Sequence, residues 1–392
     1  MSDARTQPAQ VAGALPLGGY YLLHFAGIGI VLPFLPAYLR SLELSRAQIG
    51  WLLAMSPLLS LMAPPVWGRL ADLTGRSDRV LSVTALGASL GFLPLLAARS
   101  FPLLAATCFA YAVFASSITT LADSLTFRRV EVVGGSYSRL RLFGSLGFVL
   151  SSTAFGFLVA QVDARAVWAP LGLMFASFAW SLSIRSPSTP SPGVSPLAGL
   201  ALLRERDIAL LLASTALHWI ASAPYHGSFA IHVGELGLPP SVVGMGAGLG
   251  VVAEIVVLFV YPGTFGRMQP RHVLSLSFAA TGVRWLLMSF LSSGPALVLV
   301  QVLHGLTFGA FYTASVSSLS RRAPAQLRAS GQALFAAVTF GVGGLIGYPA
   351  AGAGFDALGG HRLFAVAAAL ELLPALLVLR VRPPSEVVIR ST

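Results

Sequence analysis

Long apolar runs separated by short polar segments make up most of the chain. The runs have about 18–25 residues each, the length that a helix needs to cross a bilayer core of roughly 30 Å at 1.5 Å per residue. The pattern therefore predicts an all-α integral membrane protein with twelve transmembrane helices. We place the spans near residues 16–38, 48–67, 80–98, 101–122, 141–160, 165–184, 207–231, 241–262, 273–292, 295–317, 331–353 and 362–380.

The most polar interior segment divides the spans into two sets of six. "RSPSTPSPGVSP" (185–196) is too rich in Pro and Ser to continue a membrane helix, and "RERD" (204–207) follows it. We therefore expect two bundles joined by a cytoplasmic linker. The predicted limits are 1–184 for the N-terminal six-helix bundle, 185–206 for the linker and 207–392 for the C-terminal six-helix bundle.

The two halves also resemble each other in sequence. "LELSRAQIG" (42–50) aligns with "LGLPPSVVG" (236–244) at an offset of 194 residues, and the same offset relates His24 to His218. A repeat that keeps its register across a span, a loop and the next span predicts two pseudo-symmetric bundles in parallel orientation.

Composition and charge exclude several classes of function. The chain is 55% hydrophobic and only 10% charged, against about 25% charged residues in soluble domains. The net charge of +11 is spread thinly among the apolar runs, so we expect a lipid bilayer around the chain and no nucleic-acid partner. The single cysteine, Cys108, excludes an intrachain disulfide and a Cys-rich metal site. No phosphate-binding loop and no nucleophile–base pair is evident in the sequence, so we expect neither ATP-driven transport nor an enzyme, and no metal or cofactor.

The distribution of arginine predicts the orientation. With both termini in the cytoplasm, 19 arginines fall in cytoplasmic segments and 5 in the opposite loops, while Arg284 lies inside a span. Short cytoplasmic loops carry the excess of positive charge in membrane proteins. We therefore predict a multi-pass protein of a bacterial inner membrane with both termini cytoplasmic.

The segment "GRLADLTGRSDRVL" (68–81), between the second and third spans, resembles the cytoplasmic signature of the major facilitator superfamily. Gly68, Asp72, Gly75 and Arg76 match the signature, and the resemblance implies that they control the conformational change at the cytoplasmic face. Leu73 departs from it, since a basic residue is usual at this position.

Further segments resemble the bacterial 3-phenylpropionic acid permeases, which are relatives of lactose permeases and nucleoside:proton symporters. The resemblance runs nearly end to end and implies the twelve-helix major facilitator fold. The segments that carry it are "LPFLPAYL" (32–39), "YSRLRLFGSLGF" (137–148), "GVVAEIVV" (250–257), "GVRWLLM" (282–288) and "QVLHGLTFGAFY" (301–312).

Three ionisable residues lie at similar depth in consecutive spans. Glu254, Arg284 and His304 fall within about 10 Å of one another in depth by the helix rise, and intramembrane ionisable groups are functional candidates. One interpretation is a structural Glu254–Arg284 ion pair; the other is a proton-coupling network. Lactose permeases have similar residues on these spans, which implies proton coupling, but Thr307 stands where they have a glutamate.

The resemblance also implies roles for two residues of the N-terminal half. Asp123 is a second candidate for proton coupling, unless it only neutralises Arg128 or Arg129 at the membrane edge. Arg141 is expected to bind a substrate carboxylate, because a guanidinium makes paired hydrogen bonds with that group.

Other polar and aromatic residues inside the spans are candidates for the substrate cavity. His24, His218, Trp285 and Tyr312 are predicted to contact substrate, with helix packing as the alternative for each. Glu371 in the twelfth span is expected to have a structural or a snorkelling role.

The predicted function is proton-driven import of a small organic solute by alternating access, and an aromatic carboxylate is the first choice of substrate. The alternatives are a nucleoside or sugar symporter, an exporter of the same superfamily, and a sensor with a transporter fold that carries no flux. We expect the proton gradient as the energy source and a monomeric protein.

Overall fold

The computed structural model describes residues 12–186 and 196–383. Within these residues the chain is almost entirely helical and contains no β-strand. Twelve long helices follow one another in the order that the hydropathy pattern predicts. They are α1 (Ala14–Ser41), α2 (Arg46–Thr74), α3 (Ser77–Leu96), α4 (Phe101–Val133), α5 (Tyr137–Leu158), α6 (Arg165–Ser181), α7 (Arg206–Glu235), α8 (Pro240–Thr264), α9 (Pro270–Met288), α10 (Gly294–Arg322), α11 (Arg328–Leu358) and α12 (Gly360–Arg380).

Ten of these helices in the described part of the chain are long and apolar enough to cross a membrane. The other two, α6 and α9, have 17 and 19 residues. They complete the two bundles, because α6 packs against α1 and α3 while α9 packs against α10 and α12. The predicted fold class is confirmed.

Only part of the predicted linker lies within the described residues. Positions 187–195 lie outside them, and Pro196–Arg204 forms a 3-10 helix immediately before α7. The chain therefore regains helical geometry before the seventh span begins, and the predicted limits of the bundles and the linker stay a prediction.

One helix begins with a capping box, and two others contain a π-helical turn. Ser45 and Gln48 form a reciprocal capping box at the start of α2. In α10 the segment Gly305–Ala310 is π-helical, and in α11 the segment Ala337–Val342 is π-helical. Such π-turns are frequent at functional sites, and the one in α10 begins directly after His304.

The two halves are packed together at one end of the molecule. One apolar core contains residues of both halves, among them Phe34 and Leu52 with Phe229 and Phe355. All its members lie where odd-numbered helices end and even-numbered helices begin, which the arginine distribution predicts to be the extracellular end. At the other end each half has a core of its own. The structure therefore has the halves joined at the predicted outer end and separate at the inner end.

Candidate functional site

Two adjacent cavities lie between the halves. The larger has a volume of about 180 Å³ and an apolar lining that includes Phe92, Cys108 and Tyr111 of the N-terminal half and Tyr348 of α11. The smaller has a volume of about 60 Å³ and is lined by Tyr225, His226 and His304, together with apolar side chains of both halves. Leu32 and His226 line both cavities, so the two are adjacent.

Arg284 and His304 meet at the back of the smaller cavity. Arg284 Nη1 donates to His304 Nδ1 at 3.1 Å and to Thr307 Oγ1 at 3.1 Å, and its Nη2 donates to Gln301 Oε1. The guanidinium also lies 4.3 Å from the ring centroid of Tyr225. The Arg284 side chain is only 1% exposed. We call these residues the Arg284 cluster.

Glu254 is not part of the Arg284 cluster. No ion pair joins Glu254 to Arg284 in the part of the chain that the structure describes, so the predicted structural pair is not formed. The Glu254 side chain instead packs beside Gly309, where an added Cβ would lie 3.2 Å from Glu254 Cγ. Its charge interacts with Arg141, which belongs to the other half. The depths estimated from the sequence were similar, but the rotation of α8 directs Glu254 elsewhere.

Arg141 is the centre of a second group of charged residues. Its guanidinium lies 3.8 Å from the ring centroid of Phe25, and its charge interacts with those of Asp123 and Glu254. Asp123 accepts a hydrogen bond from Tyr21 at 2.6 Å. We call Asp123, Arg141 and Glu254 the Arg141 cluster, because acids of both halves lie near enough to one guanidinium for their charges to interact.

The alternative partners that the sequence offers for Asp123 are engaged elsewhere. Arg128 donates to the Ser186 carbonyl at 2.8 Å, and Arg129 donates to the Gly134 carbonyl at 3.1 Å. Among the described residues neither arginine forms an ion pair with Asp123. The structure thus places this carboxylate toward the interior and not against the arginines at the membrane edge.

Two of the predicted substrate contacts border the Arg141 cluster. His24 Nε2 forms a hydrogen bond with Thr119 Oγ1 at 3.3 Å, and the His24 ring lies within the electrostatic influence of Arg141. Tyr312 is 44% exposed and interacts electrostatically with Asp123 and Arg141. Both side chains remain candidates for contact with a solute between the halves.

Trp285 and His218 are buried inside the C-terminal half. Trp285 is 2% exposed and stacks on Tyr225 at a centroid distance of 5.4 Å. His218 is 2% exposed, and its Nδ1 lies 2.9 and 3.0 Å from the two carboxylate oxygens of Glu371. Ser222 Oγ donates to the same carboxylate at 3.4 Å. This pairing agrees with a structural role for Glu371. It also favours the alternative considered for His218, in which this residue supports helix packing and does not contact substrate.

The signature segment between α2 and α3 has a specific local geometry. Gly75 ends α2 with a φ of 63°, a left-handed conformation that favours glycine. Arg76 forms an ion pair with Asp78 at 3.0 Å. Asp72 is exposed, and no atom lies within 4 Å of a Cβ added to Gly68. The gating role of these residues stays a prediction.

Sequence reasoning missed three residues of these sites. Asp78, only 2% exposed, binds Arg76 and also accepts from the backbone N–H groups of Arg79 and Ser186. The sequence could have indicated Asp78, because it lies in the first turn of a helix, where the N-terminus favours negative charge. Tyr225 and His226 were also missed, although "APYHG" (223–227) interrupts an apolar run with two polar rings.

Comparisons with known proteins agree with this fold. The sequence profile of the MFS_1 like family matches residues 15–366. The chain is 32% identical over 369 residues to a probable 3-phenylpropionic acid transporter of Escherichia coli, covering 91% of this chain and 94% of that protein. It is 28% identical over 330 residues to a maltose permease of Geobacillus stearothermophilus, with 83% of each chain covered. The crystal structure of the nucleoside transporter NupG superimposes with a TM-score of 0.84 at 15% identity, covering 93% of this chain and 98% of that one.

Proposed function

Because the chain belongs to the MFS_1 like family of the major facilitator superfamily, we propose that it imports a small organic acid together with protons. Membership of this superfamily makes it a multi-pass membrane transporter that handles small molecules. An aromatic carboxylate is the proposed substrate class, and the bacterial inner membrane with cytoplasmic termini is the proposed location. The proton gradient supplies the energy, and the protein has no enzymatic activity in this proposal.

The observation that carries the proposal is the Arg141 cluster. Asp123 and Arg141 belong to the N-terminal half and Glu254 to the C-terminal half, so Coulomb attraction between Arg141 and Glu254 acts across the interface. When Glu254 takes up a proton, this attraction is lost and separation of the halves at that level becomes less costly. Proton binding at Glu254 is thereby linked to the movement of one half against the other.

The cavities support an amphipathic substrate with one ring. An apolar cavity of about 150 Å³ holds a benzene molecule, and the larger cavity has a volume of about 180 Å³ with aromatic side chains in its wall. Polar groups border both cavities, Tyr225 and His304 the smaller one, Ser56 and Thr107 the larger one, and His226 both. A short aromatic acid joins one apolar ring to a polar end, which suits mostly apolar cavities with a few polar groups, and one relative is named as a 3-phenylpropionic acid transporter.

A nucleoside or a sugar is the second candidate substrate. The relatives include a putative nucleoside transporter of Escherichia coli, 26% identical over 331 residues, and the maltose permease. A nucleoside also combines a ring with several hydrogen-bonding groups, so the cavity volumes alone do not separate the two classes.

Uptake by purified protein in liposomes tests the proposal. Aromatic acids, nucleosides and sugars are offered with and without an imposed pH gradient, and protein-free liposomes give the passive entry of each acid. We expect uptake of an aromatic acid above this background that becomes faster when the inside is alkaline. Uptake of a nucleoside or sugar without any acid, or transport that runs only outward under this gradient, would contradict the proposal.

A further inference from the structure

Arg284 is a buried cation without an acidic partner. Its side chain is 1% exposed, and its hydrogen-bond acceptors are His304, Thr307 and Gln301, which carry no negative charge. Within residues 12–186 and 196–383, no Asp or Glu forms an ion pair with it. Arg284 Nε is buried as well and has no hydrogen-bond partner in this part of the chain. An unpaired charge in a dry interior is costly unless something compensates it.

Other arginines of this protein do have acidic partners. Arg46 pairs with Glu235 and Asp356, and Arg76 pairs with Asp78. Arg141 has Asp123 and Glu254 near enough for their charges to interact. Of the two arginines considered for substrate binding or coupling, Arg284 is the one without an acidic partner among the described residues. Its charge is stabilised only by neutral acceptors and by the rings of Tyr225 and Trp285, 4.3 and 4.7 Å away.

The bond from Arg284 determines the hydrogen position on His304. A guanidinium has five N–H donors and no acceptor, so His304 Nδ1 must accept the bond at 3.1 Å. The hydrogen of the neutral imidazole therefore lies on Nε2. A proton on His304 Nδ1 would oppose the N–H donor of Arg284. The ring therefore stays neutral and serves as a hydrogen-bond donor through Nε2–H. For the same reason His304 is poorly suited to carry the coupled proton.

The His304 ring is also held in place by its neighbours. It stacks on Phe308 with a centroid distance of 5.5 Å and an interplanar angle of 10°. On the α8 side it lies against Gly250, where an added Cβ would be 3.2 Å from His304 Cβ and 3.3 Å from Cδ2. The ring lines the smaller cavity beside Tyr225 and His226, so a fixed donor borders this cavity.

We propose that the smaller cavity binds the carboxylate of the substrate, with His304 Nε2–H as its donor and Arg284 as the charge behind it. The ring of the substrate then extends past Leu32 and His226 into the larger cavity. Arg284 is a positioning residue in this assignment, because it acts through His304. The inference rests on the proposed transport of an aromatic acid, but it moves the carboxylate from Arg141 to the Arg284 cluster. Arg141 then remains with Asp123 and Glu254 for proton coupling.

Binding of matched acid and amide ligands to the detergent-solubilised protein tests the assignment without requiring transport. Benzoate, phenylacetate and 3-phenylpropionate are each compared with the corresponding neutral amide by calorimetry. We expect the wild type to favour the acid, and His304→Phe and Arg284→Met to bind the acid about 10- to 100-fold more weakly while changing amide binding much less. This range is that of a hydrogen bond to a charged group.

Two controls separate a binding effect from a folding effect. Arg271→Met changes another arginine of α9, one that donates to the Val381 carbonyl at 3.4 Å outside the cavities, and it should keep the preference for the acid. Cys108, the only cysteine, lines the larger cavity, so bound ligand should protect it from N-ethylmaleimide. Protection by the amide in His304→Phe shows that the variant still has its cavity.

The outcomes distinguish this inference from the proposed function. If the wild type prefers the acid and both variants keep that preference, the carboxylate site is elsewhere and the inference is wrong, while transport of acids stands. If the wild type binds acid and amide equally, the inference is again overturned. If it binds none of the acids or amides but binds a nucleoside or sugar, both the inference and the proposed substrate class fail.

Discussion

Gly50 and Gly244 are separated by 194 residues in the sequence, and each places its backbone directly against the opposite half of the molecule. Gly50 on α2 lies against the Tyr348 carbonyl of α11, and Gly244 on α8 lies against the Ser152 carbonyl of α5. A Cβ at either position would overlap these backbone atoms. Since 194 residues is the repeat offset, the internal repeat has a structural counterpart: both halves use the same position for close contact at the predicted outer end.

Arg46 strengthens this contact with charge, and its loss should loosen the outer end. Its backbone N–H and Nη1 donate to Asp356 Oδ1, both at 3.3 Å, its guanidinium also binds Glu235, and the Ala47 N–H donates to Asp356 Oδ2 at 2.9 Å. We expect Arg46→Gln to raise the labelling rate of Cys108 by an impermeant maleimide added from outside by about two- to fivefold. That range corresponds to about 0.4–1 kcal/mol, the value of a partly exposed ion pair.

Arg165→Gln is the matched control for Arg46→Gln. Arg165, the first residue of α6, pairs at 2.9 Å with Asp163 in the loop just before it and does not join the halves. Its substitution should leave Cys108 labelling unchanged. Equal labelling of Arg46→Gln and wild type would show that the ion pairs at Arg46 do not hold the outer end closed.

The His218–Glu371 pair should matter for stability more than for substrate affinity. Both side chains are almost fully buried, and removing one partner of a buried pair costs about 3–5 kcal/mol because it leaves the other without compensation. We therefore expect Glu371→Ala to lower the melting temperature markedly and to leave ligand affinity in the surviving folded protein near that of the wild type. The double variant His218→Leu/Glu371→Met should recover part of the stability, since apolar replacements of a buried pair are often tolerated.

The same measurement decides between the two interpretations of His218. Loss of affinity in His218→Asn at an unchanged melting temperature would make His218 a substrate contact, as first predicted from the sequence. Loss of stability with normal affinity would make it a packing residue of the C-terminal half.

The spans were predictable because hydropathy records the thickness of the bilayer core. The helix ends were not, because helices continue beyond that core. The fourth span was predicted near 101–122, but α4 runs to Val133 through the polar sequence "DSLTFRRVE" (123–131). These residues support a helix once it leaves the hydrocarbon, so polarity marks the membrane boundary and not the end of the helix.

The site was predictable in depth but not in direction. The rise per residue placed Arg284 and His304 at one level, and their side chains do meet at 3.1 Å. The same estimate included Glu254, whose side chain interacts with Arg141. The rotation of a helix about its axis depends on packing, such as the contact of Glu254 with Gly309, and depth carries no information about it.

Substitution of Glu254 tests the central claim, proton coupling across the two halves, most directly. Glu254→Gln keeps the size of the side chain and removes its ability to bind and release a proton. Accumulation of the acid and exchange of labelled for unlabelled acid are measured in the same liposomes, with Glu131→Gln, an exposed acid near the end of α4, as the control. For one proton per substrate, a gradient of one pH unit sets roughly tenfold accumulation, and protein-free liposomes correct for passive entry.

We predict that Glu254→Gln loses carrier-mediated accumulation under a pH gradient and keeps exchange, because exchange requires no net change of protonation. Glu131→Gln should behave like the wild type in both assays. Accumulation at the wild-type rate and extent in Glu254→Gln would contradict the account, since Glu254 would then have no part in coupling protons to transport.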